Sequence, residues 1–179
     1  MEKNEKASLA HKDYHTRSKE AVNTEHYLEA LCLEYSAMES RVASILKMLG
    51  MPCGDLNNKD TFDIGIHVKL NCLKKCLKDD IFKKSKLTNK TIKDIISWKY
   101  HRNEVMHRLY AKPEEYDKVM KNIKTYAEGG LVYCYVLYKE ADRIRYIKRH
   151  HPEVLERFEI RCPNKSETCI KFLEKNSQS

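Results

Sequence analysis

Only five glycines and four prolines occur in the 179 residues. An all-β chain needs turn residues at every strand end, so this shortage argues against strands and for helices. No apolar run approaches the roughly 18 residues that a membrane-spanning helix requires. The stretch Met1 to Arg17 is polar and lacks the apolar core of a signal peptide, so a cytoplasmic location is expected. There is no HExxH motif, no paired acidic motif on one helix, and no Cys/His quartet with zinc-finger spacing. Neither a metal nor a cofactor is expected. The seven cysteines are an odd number and, without an export signal, read as free thiols. Cys72 and Cys76 fall on one helix face and are read as packing residues.

What the chain has in quantity is charge. Its 34 basic and 26 acidic residues leave a formal net charge of +8. That excess favours a polyanionic partner, nucleic acid first; a mixed, solvated surface is the competing expectation.

Residues 1–20 carry almost no apolar content and read as a flexible polar arm or a frayed helix. Thr24 is read as an N-cap. Leu28, Leu31, Tyr35, Met38, Val42, Ile45 and Leu49 then alternate at three and four residues, which predicts one amphipathic helix. Gly50 and Pro52 end it, and 51–63 is a loop. A second helix is predicted over about 64–77, followed by a basic connection at 78–87. A third starts at Thr88 or Thr91 and runs to about Ala111, with Pro113 poised to open the next. The fourth, about 114–148, contains Gly129-Gly130, read as a close helix contact rather than a kink. Pro152 stops it, and 154–158 suggests a short fifth helix. The predicted fold is all-α: an up-and-down bundle of four main helices plus a short C-terminal helix over residues 21–160, with a polar tail at 161–179.

The stretch Trp98 to Tyr110 reads W-K-Y-H-R-N-E-V-M-H-R-L-Y. At about 100° per residue, Ile95, Trp98, Val105, Met106 and Leu109 form one apolar arc, and Arg102 lies near its centre. A guanidinium there is costly unless something holds it. Asn103, His107 and Tyr110 share one shoulder of the arc. Glu104 and Arg108 are read as a surface pair facing elsewhere. Arg102 and His107 lie about 140° apart on a regular helix, so a common target requires a distorted helix, a long arginine side chain curled around it, or a two-fold dimer. The competing reading pairs Arg102 with a carboxylate such as Glu39. Spacing alone does not select the motif, since Arg145 and His150 match it as well.

The run Arg102-Asn103-Glu104-Val105-Met106-His107 resembles the Arg-x(4–6)-His motif of the HEPN superfamily, in which Asn, Asp or His commonly follows the arginine. The architecture over about 24–150 is similar too, with the motif on a late helix and a long helix after it. The resemblance implies a homodimer with both motifs at the interface and metal-independent endoribonuclease activity, as in toxins and antiphage defence proteins. It also implies a nearby antitoxin partner for some members, and loss of catalysis in others, which act as binding or scaffold modules for nucleotide, RNA or protein. Toxin members that read Arg-x4-His-x-Tyr are modified on the tyrosine; here Leu109 holds that place and the tyrosine is Tyr110.

The expected roles follow from RNA chemistry. His107 exchanges protons with the 2′-hydroxyl or the leaving 5′-oxygen, Arg102 grips the phosphate, and Asn103 orients the histidine or the phosphate. Tyr110 is an accessory residue that stacks on a base or donates a hydrogen bond. Arg143, Arg145, Lys148 and Arg149 are the candidate RNA-binding cations, with Lys83, Lys84 and Lys86 as further basic surface.

Overall fold

The computed structural model describes residues 2–50, 65–111 and 116–161. They form six α-helices: α1 (Glu2–Asn23), α2 (Tyr27–Met48), α3 (Ile66–Cys76), α4 (Asn89–Ala111), α5 (Tyr116–His150) and α6 (Pro152–Arg161), with a 3-10 turn at Asp80–Phe82 before α4. No strand occurs among the described residues, and the all-α expectation holds. No described helix is long and apolar enough to cross a membrane.

Of the two expectations for the N-terminal segment, arm or helix, the structure shows the helix. It forms α1, because it is rich in Glu, Lys and Ala and has no Gly or Pro. Ser18 and Ala21 of this helix are buried. Thr24 does not cap α2. Its hydroxyl donates to the Glu20 carbonyl at 2.9 Å, Glu25 takes a positive φ of 61°, and the Ala30 amide reaches the His26 carbonyl. The chain reverses at Glu25, so Thr24 closes α1 and α2 begins later.

Thr88 caps α4, as one of the two expected candidates: its hydroxyl accepts from the Thr91 amide at 3.1 Å. The 3-10 turn is held in the same way, by the Asp79 carboxylate accepting from the Ile81 amide. α5 runs unbroken through Gly129 and Gly130. Pro152 ends it and also occupies the first position of α6, where its missing amide costs nothing; α6 is longer than the expected 154–158. The segments expected as a loop at 51–63 and, beyond Arg161, as a polar tail, together with Pro113, lie outside the described residues.

The contacts divide the chain into two compact units. The first joins Met1–Met38 to Lys93–Tyr135. Its buried residues include Leu31, Met38, Ile95, Trp98, Ile123 and Ala127, with Ser18 and Glu34 among them. The second joins Glu39–Ile92 to Val136–Ser179. Its buried residues include Val42, Ile45, Leu70, Leu73, Leu137 and Ile144, with three charged residues, Arg41, Lys69 and Glu140.

Those three charges are each answered within the second unit. The Lys69 ammonium donates to Glu39 Oε1 at 3.1 Å. Arg41 lies over the Tyr138 ring at 4.8 Å. Glu140 accepts from Ser85 Oγ at 2.6 Å and from Arg143, while Ser85 also takes the Leu87 amide. The connection before α4 is thereby tied to α5. Cys72 and Cys76 are buried and not in disulfides, consistent with a packing role.

Candidate functional site

The first unit holds the Arg102–His107 stretch. α4 presents it as regular helix from Asn89 to Ala111, so nothing distorts the spacing between the two residues.

Arg102 is half-buried. Its guanidinium lies over the Tyr35 ring of α2, 4.8 Å from the centroid. One terminal nitrogen donates to Asn103 Oδ1 at 3.1 Å, and the other to the Cys32 thiol at 3.8 Å. Its Nε is buried without a hydrogen-bond partner. Among the described residues Arg102 has no carboxylate partner. Glu39, the neutraliser in the competing reading, is taken by Lys69. The cation therefore rests on an aromatic face, an amide and a thiol, which hold it without cancelling its charge.

His107 is exposed and makes no hydrogen bond or ion pair with another described residue. Asn103 is engaged with Arg102. The structure thus joins Arg102 to Asn103 and leaves His107 on the solvent side of the helix. Tyr110 belongs to the last turn of α4, and its side chain lies outside the described part of the molecule.

A second group of residues surrounds the motif. The His101 ring stacks on Tyr126 of α5, with centroids 4.9 Å apart and planes 5° from parallel. The Trp98 indole N–H donates to the Tyr126 carbonyl at 2.7 Å, which fixes α5 against α4 there. Glu104 and Arg108 form the expected ion pair at 2.8 Å. They border a cavity of about 110 Å³ that Val105, Val119, Asn122 and Tyr126 complete.

Glu34 is the feature that sequence reading missed. It is fully buried, and burial pushes its carboxyl from the ordinary 4.5 up to about 9, against a smaller downward pull from the Ser18 hydrogen bond. The Ser18 hydroxyl donates to Oε1 at 3.1 Å, while Oε2 has no partner. At neutral pH this carboxyl is uncharged, so it does not neutralise Arg102. A signal existed: position 34 is three residues after Leu31 and four before Met38, on the apolar stripe itself.

The candidate RNA-binding cations lie in the second unit. Arg143 is held by Glu140 and lies 5.8 Å from the Phe82 ring centroid. Arg145 is held by Asp142. Lys148 and Arg149 are exposed in the last turn of α5. Lys84 and Lys86 are exposed as well, and Lys83 pairs with Asp80 on the surface. Among the described residues no group of three His, Cys, Asp or Glu side chains is placed to hold a metal ion.

Comparison with models of known families, with curated proteins and with solved structures finds no match to this chain.

Proposed function

We propose that this chain is a metal-independent endoribonuclease of HEPN type, an up-and-down helical bundle that acts as a homodimer in a toxin or antiphage defence role. The observation that carries the reading is Arg102: a half-buried guanidinium with no carboxylate partner among the described residues and an unsatisfied Nε, five residues before a solvent-exposed histidine.

An uncancelled guanidinium on a helix is suited to a phosphate, which it grips with two parallel hydrogen bonds. Tyr35, Asn103 and Cys32 fix its position beforehand, so little ordering is required when the anion arrives. His107 supplies the proton exchange that Arg102 cannot.

The reaction needs no external nucleophile. The 2′-hydroxyl attacks the adjacent phosphorus while one imidazole takes its proton. The bond from phosphorus to the 5′-oxygen breaks, and an imidazolium protonates the leaving oxygen. The products are a 2′,3′-cyclic phosphate and a 5′-hydroxyl, and the protein ends with the proton count it began with. Arg102 offsets the charge that builds on the phosphorane oxygens.

The homodimer is the part of the proposal that reconciles the motif with helix geometry. On an unbroken α4, Arg102 and His107 point about 140° apart. A second copy related by a two-fold axis places its own histidine opposite the first copy's arginine and provides the two imidazoles that acid and base roles require.

A second reading, a non-catalytic HEPN-like binding or scaffold module, is favoured by the contacts that Arg102 already makes within its own unit. One experiment separates the two. Labelled RNA and DNA of the same sequence are incubated with EDTA-treated protein, beside Arg102→Ala and His107→Ala. RNA cleavage that both substitutions abolish, with DNA intact, supports the enzyme. Intact RNA with wild-type protein selects the module.

A further inference from the structure

The second unit carries an aromatic cluster that the cleavage reading does not use. Tyr146, near the end of α5, is 58% exposed. The His150 ring lies 4.5 Å from it, centroid to centroid, with the planes 36° apart. The His151 ring lies 6.1 Å from it at 55°. Both histidines are exposed as well. One exposed tyrosine is ordinary on a protein surface. Three exposed rings in mutual contact are a different arrangement, because they fix one another's orientation and still turn π-faces to solvent.

Cations border the cluster. Tyr146 follows Arg143 by three residues and precedes Arg149 by three, so the three side chains occupy successive turns on one side of the helix. Arg143 lies 5.8 Å from the Phe82 ring, and the Ser85 hydroxyl donates to Glu140. These contacts seat the connection before α4 against the same part of α5, and the connection carries the exposed Lys84 and Lys86. The neighbouring carboxylates are already engaged. Glu140 is held by Ser85 and Arg143, Asp142 by Arg145 and Asp80 by Lys83, and Glu153 lies 3.5 Å from His151 Nδ1. Lys84, Lys86 and Arg149 have no such partner among the described residues. The result is a cationic surface with an aromatic centre.

Charge alone would accept any polyanion. The rings narrow the choice to one with flat faces of its own left free. A duplex hides its base faces inside the stack and shows phosphates and groove edges, whereas an unpaired strand offers both phosphates and base faces. We infer that this surface is a stacking platform for single-stranded RNA: Tyr146, with His150 and His151, receives a base, and Lys84, Lys86 and Arg149 receive the flanking phosphates. The choice of RNA among single strands rests on the ribonuclease reading, which the inference deepens by making an unpaired strand the substrate. Because the rings already hold one another, little ordering is required when a base arrives.

The test measures binding and cleavage separately. Binding is read by fluorescence anisotropy with labelled 2′-O-methyl RNA, which lacks the attacking hydroxyl and stays intact. The probes are a single strand, the same strand paired with its complement, and an abasic strand of equal length and charge. The single strand is expected to bind tenfold or more tightly than the other two. Tyr146→Ala is expected to weaken the single strand by about five- to a hundredfold and to leave the abasic strand unchanged, while Tyr146→Trp retains the wild-type preference. Replacing Lys84 and Lys86 together with alanine is expected to weaken the single and abasic strands alike. Wild-type affinity in Tyr146→Ala, equal binding of the duplex or the abasic strand, or displacement of the strand by polyglutamate of equal charge overturns the platform. Cleavage is then followed on unmodified RNA. Selective single-strand binding without cleavage sinks the ribonuclease reading and leaves the platform standing. Cleavage by wild type and Tyr146→Ala at equal rates under limiting protein overturns the platform and leaves the ribonuclease reading intact.

Discussion

Gly130 of α5 lies directly against the Glu34 carboxyl of α2. A Cβ built at position 130 falls onto Glu34 Oε2 and comes within 2.9 Å of Trp98 Cζ2. The absent side chain is what lets two helices close over a buried acid. Gly129, one residue earlier, has nothing within 4 Å of the equivalent Cβ. The pair therefore predicts opposite effects from one substitution. Gly130→Ala overpacks a rigid site and is expected to lower stability by about 1–3 kcal/mol. Gly129→Ala removes a helix-interior glycine without a clash and is expected to raise it by up to about 1 kcal/mol. Urea unfolding of the two variants checks both signs.

The Glu34 carboxyl is pushed up to about 9 in the fold, against 4.5 ordinarily. Between those values the folded chain holds a proton that the unfolded chain has released. Stability from this group is thus complete below about pH 4.5 and falls as pH rises toward 9. The slope is at most about 1.4 kcal/mol per pH unit. Glu34→Gln keeps the shape and has no proton to lose. Its advantage over wild type is expected to grow from pH 5 to pH 8. A constant difference across that range contradicts the assignment.

Lys69 is fully buried beside Glu39, whose side chain is 23% exposed. Removing the carboxylate takes the Glu39 ion pair away from a buried ammonium. Glu39→Ala is expected to cost about 3 kcal/mol, whereas Lys69→Met, which removes the charge and keeps the volume, is expected to cost far less. Thermal unfolding at low and high salt reads the difference, and similar losses in the two variants refute it.

Lys148 and Arg149 are exposed, while Arg143 is committed to Glu140 and Arg145 to Asp142. Replacing Lys148 and Arg149 together with alanine is expected to reduce the log–log salt slope of single-stranded RNA binding by about 1.4, two contacts at roughly 0.7 each. Arg143→Ala is expected to lower stability instead, because it releases the buried Glu140. Fluorescence anisotropy over a salt series, with unfolding curves alongside, separates the two effects.

Arg102→Lys tests the shape of the cation. A lysine keeps the charge but loses the planar fork and the extended stack on Tyr35. It is expected to retain most RNA affinity and lose most cleavage. General acid–base help is worth about two to four orders of magnitude, so His107→Ala is expected to lose at least a hundredfold in rate with its unfolding curve unchanged. Wild-type cleavage by either variant removes that residue from the mechanism.

Local signals were legible where backbone chemistry acts within a few residues. The α2 stripe from Leu31 onward, the Thr88 cap of α4, the Glu104–Arg108 pair and the Pro152 boundary all depend on spacing along one helix, and each lies where the sequence placed it, while Leu28 at the head of the stripe is exposed. Thr24 misled because its hydroxyl can serve either neighbouring helix, and the positive φ at Glu25 decided for α1. The N-terminal helix was obscured because its apolar content is low, although Ser18 and Ala21 are buried.

From its order of residues alone, the chain determined an all-helical fold and put Arg102 on an apolar arc, because helical periodicity is a property of one segment. What faces that arginine was decided only in three dimensions. Lys69 claimed Glu39, burial left Glu34 uncharged, and Tyr35, Cys32 and Asn103 became the seat of the guanidinium. Such partnerships arise between residues up to seventy positions apart, as Cys32 and Arg102 are. No periodicity encodes them, because they follow from which helix faces meet and how much water remains between them.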